Sequence, residues 1–433
     1  MTTAVHDFRL DGIYVQRQEG YFMQRVKLPA GVISSQQART VARAAGRFGK
    51  GELHLTTRGS IEIHWLKAED LPALKSFLAA SGLTSRGACG GAVRGISCGS
   101  SQDSARFPQI ETMSRRLQRH FTGNPRFERL PKKFKIGIEA SPESRRHLIQ
   151  DIGLILNSSA DTPTATFDIW AAGGLGREPQ PGFLLETAVS EERVIPLIEA
   201  VLRVYAAGTP AGKRLKHLLR ETGEEEFRRR LAADPGSTEE LPPHKGFDET
   251  LFPGGAAADQ LTVRFFAGSI SGDELTRLAE LADAWSDGVL VVTSGQDISL
   301  PLAQGSDRTA AETELERCGF PQDGERQASC RICPGSHECR AGLSPTREIA
   351  RHLTDAMGPS ARRLTWAVSG CPNSCTQPQL ADYGIVTSRL RKDDNDQRTP
   401  CFDLYRARPD GLGEKIAADL SLEELTVRIR ELG

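Results

Sequence analysis

The chain has 433 residues, with 55 basic and 56 acidic side chains and a formal net charge of −1. This length predicts two or three domains, and the even charge balance disfavours nucleic acid or a membrane surface as a partner. The first residues lack the basic and then apolar pattern of a signal peptide. No stretch approaches the roughly 20 apolar residues of a membrane-spanning helix. We therefore expect a cytoplasmic protein.

The chain contains an internal duplication. Residues 26–61 align with residues 263–298 without a gap, and eleven positions are identical, where chance would give about two. Each copy predicts a short strand, a Gly-containing turn, an amphipathic helix and then a second strand with largely alternating apolar residues. A period of 237 residues is too long for a solenoid. It predicts a two-lobed protein with approximate internal symmetry.

The two copies differ in charge. Arg25 corresponds to Thr262 and Arg58 corresponds to Gly295, so the first copy is the cationic one. We expect positions at which the copies agree to serve the fold, and positions at which they differ in charge to be candidates for chemistry. Between the copies, residues 212–231 predict one charged helix with a solvated face. Residues 232–246, rich in Pro, Gly and charge, predict a linker.

The nine cysteines are clustered, because seven of them fall between residues 318 and 401. An odd number in a reducing compartment disfavours a disulfide framework. Two loops supply a C-x5-C pair and a C-x3-C pair. The wide first spacing fits structural zinc poorly, whereas an iron–sulfur cluster tolerates it. Cys330, three residues before Cys333, keeps zinc as a minor alternative. The four candidate metal ligands are Cys333, Cys339, Cys371 and Cys375.

The second cysteine pair, in "SGCPNSC" at residues 369–375, resembles the sulfite and nitrite reductase family. Further stretches similar to that family follow in its order: "IYVQRQEGYFMQRVKLPAG", "ELHLTTRGSIEIHW", "GACGGAVRGIS", "LPKKFKI", "GGLGREP" and "GKRLKHLLRETGEEEFR". The resemblance covers nearly the whole chain. It implies an α+β fold with the family's pseudo-twofold duplicated architecture: two ferredoxin-like half-domains at 1–105 and 246–310, a siroheme and substrate lobe at 106–245, and a lobe at 311–433 that carries the cluster and the siroheme ligand.

The resemblance also implies roles for individual residues. The four cysteines would hold a [4Fe-4S] cluster, Cys375 would also bridge to the siroheme iron, and Asn373 and Arg58 would contact siroheme. Four basic residues would surround the bound anion, namely Arg25, Arg94, Lys133 and Lys135. Independently of the family, a small oxyanion that loses oxygen as water needs cations and proton donors around it. On a strand, Lys133 and Lys135 would point to one side, with Phe134 opposite.

Several positions depart from the family pattern. Gly59 and Glu62 stand where Gln is usual, and Gly95 stands where Asn is common. Glu62 would place a carboxylate near a carboxylate-rich macrocycle unless it is protonated or turned away. His54 and His64 are expected to be structural. Arg214 lies in a recurrent family stretch, and no role is assigned to it.

The leading functional hypothesis is therefore an oxidoreductase that uses siroheme and a [4Fe-4S] cluster to reduce sulfite to sulfide by six electrons. Nitrite reduction to ammonia is the alternative. No Gly-rich dinucleotide fingerprint follows a strand, so we expect an external electron donor such as ferredoxin or a flavoprotein subunit. Two less favoured alternatives remain: a monooxygenase resembling precorrin-3B synthase, and an electron-transfer or assembly subunit that carries a cluster only.

Overall fold

The computed structural model describes residues 8–99, 105–157, 165–242, 250–252, 259–322, 328–392 and 396–432. Within these residues, nineteen strands form four sheets. Three hydrophobic cores stabilise them, one for the two copies of the duplication together and one for each lobe. No helix in this part of the chain is both long and apolar enough to cross a membrane.

The two copies fold in the same way. The first copy contains β1 (Ile13–Val15), β2 (Phe22–Val26), β3 (Val32–Ser34), α1 (Ser35–Phe48), β4 (Glu52–Leu55), β5 (Ile61–Leu66) and α2 (Leu71–Ala79). The second contains β11 (Gln260–Val263), β12 (Ser269–Ser271), α7 (Gly272–Trp285), β13 (Val289–Val292), β14 (Ile298–Pro301) and α8 (Arg308–Arg317). A serine caps the start of each main helix in a capping box: Ser34 precedes α1 and Ser271 precedes α7. Local chemistry therefore fixes both helix starts.

The copies exchange strands. Strand β3 pairs antiparallel with β13, where Ile33 lies opposite Leu290, and β12 pairs antiparallel with β4, where Ile270 lies opposite Leu53. The sheet orders are β1-β2-β5-β4-β12 and β11-β14-β13-β3. Each sheet therefore contains a strand from the other copy, and helices α1 and α7 pack against each other. The two half-domains share one core.

The exchange explains two identities between the copies. Ala30 and Ala267 have φ of 55° and 58°, and the glycines that follow them have φ of 78° and 62°. A Cβ on Gly31 would lie 2.3 Å from the carbonyl oxygen of Val292, and one on Gly268 would lie 2.6 Å from that of Leu55. Only glycine fits a left-handed backbone that approaches another strand this closely. The expectation that identical positions serve the fold is met at this turn.

The first lobe is a five-stranded mixed sheet covered by helices. It contains β6 (Ser97–Cys98), α3 (Phe107–Phe121), β7 (Ile136–Glu139), β8 (Ile152–Asn157), β9 (Thr166–Ala171), β10 (Phe183–Ser190), α4 (Glu191–Gly208), α5 (Leu215–Thr222) and α6 (Glu224–Ala232). The strand order is β10-β9-β8-β7-β6, and β6, β7 and β8 run parallel. Residues 97–98 thus join the sheet of this lobe. The expected domain boundaries at 105, 245 and 310 stay a prediction.

The second lobe has the same five-strand plan. It contains β15 (Ser329–Ile332), α9 (Thr346–Ala356), α10 (Pro359–Arg362), β16 (Thr365–Ser369), β17 (Tyr383–Lys392), β18 (Arg398–Arg406), β19 (Glu414–Leu420) and α11 (Leu422–Arg430). The strands lie in sequence order, and β15, β16 and β17 are parallel. The carboxyl ends of parallel strands meet at one edge of a sheet, and both cysteine loops leave this edge.

Two sequence expectations about local structure were wrong. The second strand of each copy is a hairpin, in which β4 and β5, and likewise β13 and β14, are joined by a tight turn. The predicted helix at 212–231 is two helices, because Gly223 has φ of 79° and ends the first one. Its face is also not fully solvated, since Arg214 and Lys216 are buried.

The exchange predicts that the two copies unfold together. Replacing Leu290, which is fully buried and pairs across the exchange with Ile33, by Ala should lower the free energy of unfolding by about 3 kcal/mol. Val427→Ala, at a half-exposed site on α11, should change it by less than about 0.5 kcal/mol. Urea denaturation followed by circular dichroism measures both. A negligible effect of Leu290→Ala would contradict the shared core.

Candidate functional site

The hairpin turn of the first copy carries Arg58 into the site. The Thr56 side chain accepts hydrogen bonds from the backbone N–H groups of Arg58 (3.3 Å) and Ser60 (3.2 Å), which fixes the turn. The Arg58 guanidinium donates to the side-chain oxygen of Gln150 (3.1 Å) and to the carbonyl of Gly95 (2.6 Å) in the first lobe. Burial and then the Arg94 charge lower the pKa of Arg58 to about 9.

Packing explains why glycine occupies position 59, which is one of the departures from the family pattern. Its φ is 63°, and a Cβ there would lie 3.1 Å from both the Cα of Gly31 and the carbonyl oxygen of Val292. A side chain would therefore be strained by its backbone conformation and would press on the exchanged strands. The corresponding residue of the second copy is Gln296, which has φ of 71° and is buried. Its side-chain amide donates hydrogen bonds to the carbonyls of Leu55 and Ile332.

The four candidate cysteine ligands lie in two loops that follow the parallel strands β15 and β16. The backbone N–H of Gly370 donates to the sulfur of Cys333 at 3.2 Å. The loops approach so closely that a Cβ on Gly370 would lie 2.9 Å from the Cα of Gly335. Cys371 is buried, whereas Cys339 and Cys375 are exposed. Backbone N–H groups aimed at sulfur stabilise thiolates and tune a cluster.

The four thiols are not grouped tightly enough for a single zinc ion. In the described part of the chain, only His54, Glu62 and His64 bring three ligand atoms within 4.8 Å of one another. A tetrahedral zinc site needs sulfurs about 3.8 Å apart, and no three of these cysteine sulfurs meet even the wider limit. Cys330, on which the zinc alternative depended, packs against the core of the second lobe.

The first-copy turn and the second cysteine loop are joined directly. The Thr57 hydroxyl donates to the carbonyl of Cys375 at 2.9 Å, and the Gln377 side chain donates back to the carbonyl of Thr57 at 3.2 Å. Arg331 donates to the carbonyl of Thr376 at 2.9 Å. Ser374 has φ of 54°, a strained conformation. The hydrogen bonds of Thr57, Gln377 and Arg331 hold the loop that contains it. Thr57 and Gln377 could not be identified from the sequence, because their partners lie more than 300 residues away.

Lys133 and Lys135 flank a buried phenylalanine, as their alternation predicted. Phe134 forms a single bridge with Val93 and packs in the first-lobe core, and both lysines are half-buried. The structure gives neither ammonium group a hydrogen bond or ion pair within the described residues. Burial lowers the pKa of Lys133 to about 8, although the Cys375 thiolate raises it. Burial, Arg58 and Lys133 hold the pKa of Lys135 well below its usual value.

Arg94 and Arg25 are held differently. The Arg94 guanidinium donates to the backbone carbonyls of Ala88 and Gly90, the latter at 3.0 Å. Its Nε is buried and lacks a hydrogen-bond partner among the described residues. Arg25 instead forms an ion pair with Glu62 across β2 and β5. Glu62 is thus held by Arg25 and by His54.

Two further basic residues lie near the site, Arg214 beside the lysines and Lys27 beside Arg94 and Arg58. Arg214 forms a buried ion pair with Asp151 at 2.7 Å, and Asp151 also accepts the backbone N–H of Lys135 at 2.8 Å. Arg214 therefore positions the lysine segment, a role that the sequence left unassigned. Lys27 is buried and donates to Thr122 at 2.7 Å. Burial and the Arg94 charge lower the pKa of Lys27 to about 7.

The structure brings the Arg58 turn, Lys133 and Lys135 close to Cys375, whereas Arg25 and Arg94 lie near Arg58. The charge of the Cys375 thiolate acts on both lysines, and its loop contacts the Arg58 turn. Asn373 is exposed and hydrogen-bonds the Cys371 sulfur. Four thiols on two loops fit a [4Fe-4S] cluster. An excess of cations, two of them with free ammonium groups, beside exposed Cys375 fits the many carboxylates of siroheme. These features define an iron–sulfur oxidoreductase.

Comparisons with known proteins identify the family. The nitrite and sulphite reductase 4Fe-4S domain matches residues 100–237, and the nitrite/sulfite reductase ferredoxin-like half domain matches residues 14–81 and 259–318. The stretch 100–237 contains no cysteine, and the four candidate ligands lie beyond it. The chain belongs to the nitrite and sulfite reductase family, whose members carry siroheme and a [4Fe-4S] cluster.

Curated relatives carry two different names. The chain is 29% identical to the ferredoxin–nitrite reductase of Synechococcus elongatus, over 95% of this chain and 86% of the relative. It is 25% identical to sulfite reductase [ferredoxin] 1 of Mycolicibacterium paratuberculosis, over 98% and 83% of the two chains. The structure of the Mycobacterium tuberculosis NirA protein matches with a TM-score of 0.83 and 23% identity, covering 98% of this chain and 85% of that one. This likeness concerns the fold.

The ligand assignment predicts that substitution of Cys339 lowers the iron content and that substitution of Cys330 does not. Cys339→Ser should lower the iron content and the broad visible absorption of the cluster by at least half, because serine replaces a ligand thiolate. Cys330→Ser is the matched control, since Cys330 packs against a core, and it should keep both. Iron analysis and absorption of protein purified without air measure them. Equal loss in both variants would contradict the assignment.

Proposed function

We propose that this chain catalyses the siroheme-dependent six-electron reduction of sulfite to sulfide, with electrons from an external ferredoxin or flavoprotein. Nitrite reduction to ammonia at the same site is the second candidate, and relatives at similar identity bear both names. The observation that carries the proposal is the contact between the Thr57 turn and the Cys375 backbone, because it joins the cations of the first copy to the cysteine loop.

Each group of side chains has a distinct task in this proposal. Cys333, Cys339, Cys371 and Cys375 would hold the cluster, and Cys375, Asn373 and Arg58 would hold siroheme. When bound, these cofactors would relay electrons from the external donor and supply an iron at which an oxyanion can be reduced. The protein supplies positive charge and protons. Arg25, Arg94, Lys133 and Lys135 would neutralise the anion, which otherwise would be repelled by the macrocycle's carboxylates.

The lysines are suited to deliver protons as well as charge. Each oxygen that leaves the substrate as water needs protons from nearby donors. An ordinary lysine holds its proton too tightly to donate it near neutral pH, but the pKa of Lys133 is lowered to about 8 and that of Lys135 lies well below its usual value. Lysines with such a pKa can both attract an anion and transfer a proton.

The less favoured alternatives lack this support. A cluster-only electron-transfer subunit has no need for Lys133 and Lys135, two half-buried lysines whose ammonium groups have no partner among the described residues. The curated relatives reported above, which are reductases, give no support to a monooxygenase that acts on a corrin precursor.

The proposal predicts a specific loss of turnover. In protein purified without air and loaded with siroheme, Lys135→Met should lower kcat/KM for sulfite and nitrite by about 100-fold, the typical effect of losing one preorganised charge and proton donor. Lys132→Met, which removes an exposed neighbouring charge, should stay within about twofold. Anaerobic assays with an artificial electron donor measure both. Wild-type protein that contains siroheme but reduces neither anion would overturn the proposed function.

A further inference from the structure

Glu62 is a buried carboxylate in contact with a candidate anion ligand. It lies on β5 opposite Arg25 of β2 and is 4% exposed. One of its oxygens accepts two hydrogen bonds from the Arg25 guanidinium, the Nε bond at 3.0 Å. The other oxygen lies 3.0 Å from Nδ1 of His54 and 3.5 Å from Nε2 of His64. Every close polar neighbour of this carboxylate is therefore a potential donor.

Glu62 is ionised in this setting. Burial alone would raise the pKa of a carboxyl group, but the Arg25 charge and the two histidines outweigh it and hold the pKa of Glu62 well below its usual value. The second copy has no such charge, because the corresponding residue there is Ser299. One of the four candidate anion-binding cations is thus already neutralised by the protein.

We propose that Glu62 determines specificity by subtracting one positive charge from the anion site, so that the site favours a monoanion, nitrite or hydrogen sulfite, over the sulfite dianion. This inference rests on the proposed function of the site and names the charge class of its substrate. A buried negative charge close to the substrate repels a dianion twice as strongly as a monoanion. Arg25 still donates hydrogen bonds, but it contributes little net charge.

The charged and titratable groups around Glu62 are Arg25 on β2, His54 on β4, His64 on β5, and the thiols of Cys89 and Cys339, on whose pKa the Glu62 charge acts. The penalty on a dianion requires a pH at which sulfite has lost its last proton, which lies on the alkaline side of neutrality.

The test compares two anions and two pH values in siroheme-loaded protein. We expect Glu62→Gln to raise the ratio of kcat/KM for sulfite to that for nitrite by about tenfold at pH 8, because it removes a repulsion that acts twice as strongly on a dianion as on a monoanion. At pH 6, where hydrogen sulfite and nitrite are both monoanions, we expect the ratio to stay within about twofold. The change should lie in KM, and the dissociation constants of both anions, titrated optically against the oxidised enzyme, should follow it.

Control variants separate charge from structure. Glu62→Asp keeps the charge and should keep the wild-type ratio at both pH values. Glu111→Gln removes another fully buried carboxylate, one that binds backbone N–H groups of residues 251 and 252 in the first lobe, and it should leave the ratio unchanged.

An equal loss for both anions in Glu62→Gln, with the ratio constant at pH 8, would mean that Glu62 only positions Arg25 and would overturn the proposal. Absence of both activities in wild-type holoenzyme would instead overturn the proposed function and this inference with it.

Discussion

The site depends on the buried amide of Gln296, which joins three parts of the molecule. This side chain of the second copy donates to the carbonyls of Leu55 (2.9 Å) and Ile332 (3.0 Å) and accepts the backbone N–H of Ile332 (2.7 Å). Leu55 is the last residue before the turn that carries Arg58, and Ile332 is the last before Cys333. One amide therefore fixes the cationic turn relative to the first cysteine loop, and Thr57 fixes it relative to the second. Buried polar networks in which each group has a partner specify a unique arrangement.

The duplication supplies the frame for this contact, and its asymmetry supplies the chemistry. Both copies keep the Ala-Gly turn that the strand exchange requires. Only the first copy carries Arg25 and Arg58, whereas the second uses the position of Gly59 for the structural Gln296. Within the first copy the cations are also unequal. Arg25 is paired with Glu62 and Arg214 with Asp151, whereas Arg94, Lys133 and Lys135 have no carboxylate partner among the described residues.

Much of this account could be predicted from the sequence, and the part that could not has a physical reason. The duplication was visible because strand exchange imposes the same residues twice, and the cysteines were visible because a cluster demands thiolates. The hairpin turn at residues 56–60 was hidden, since apolar residues alternate on both sides of it. The partners of Glu62, Arg214 and Thr57 lie 37, 63 and 318 residues away. Such contacts arise from strand pairing and lobe packing, which single-sequence periodicity does not report.

The most direct test of the central claim, that the first-copy cations and the Cys375 loop together hold siroheme beside a cluster, is a visible absorption spectrum. The protein should be purified without air from a host that makes siroheme, and measured before and after reduction. The account predicts an intense Soret band and a chlorin-like band in the red, both of which shift on reduction. A broad cluster shoulder alone would contradict it.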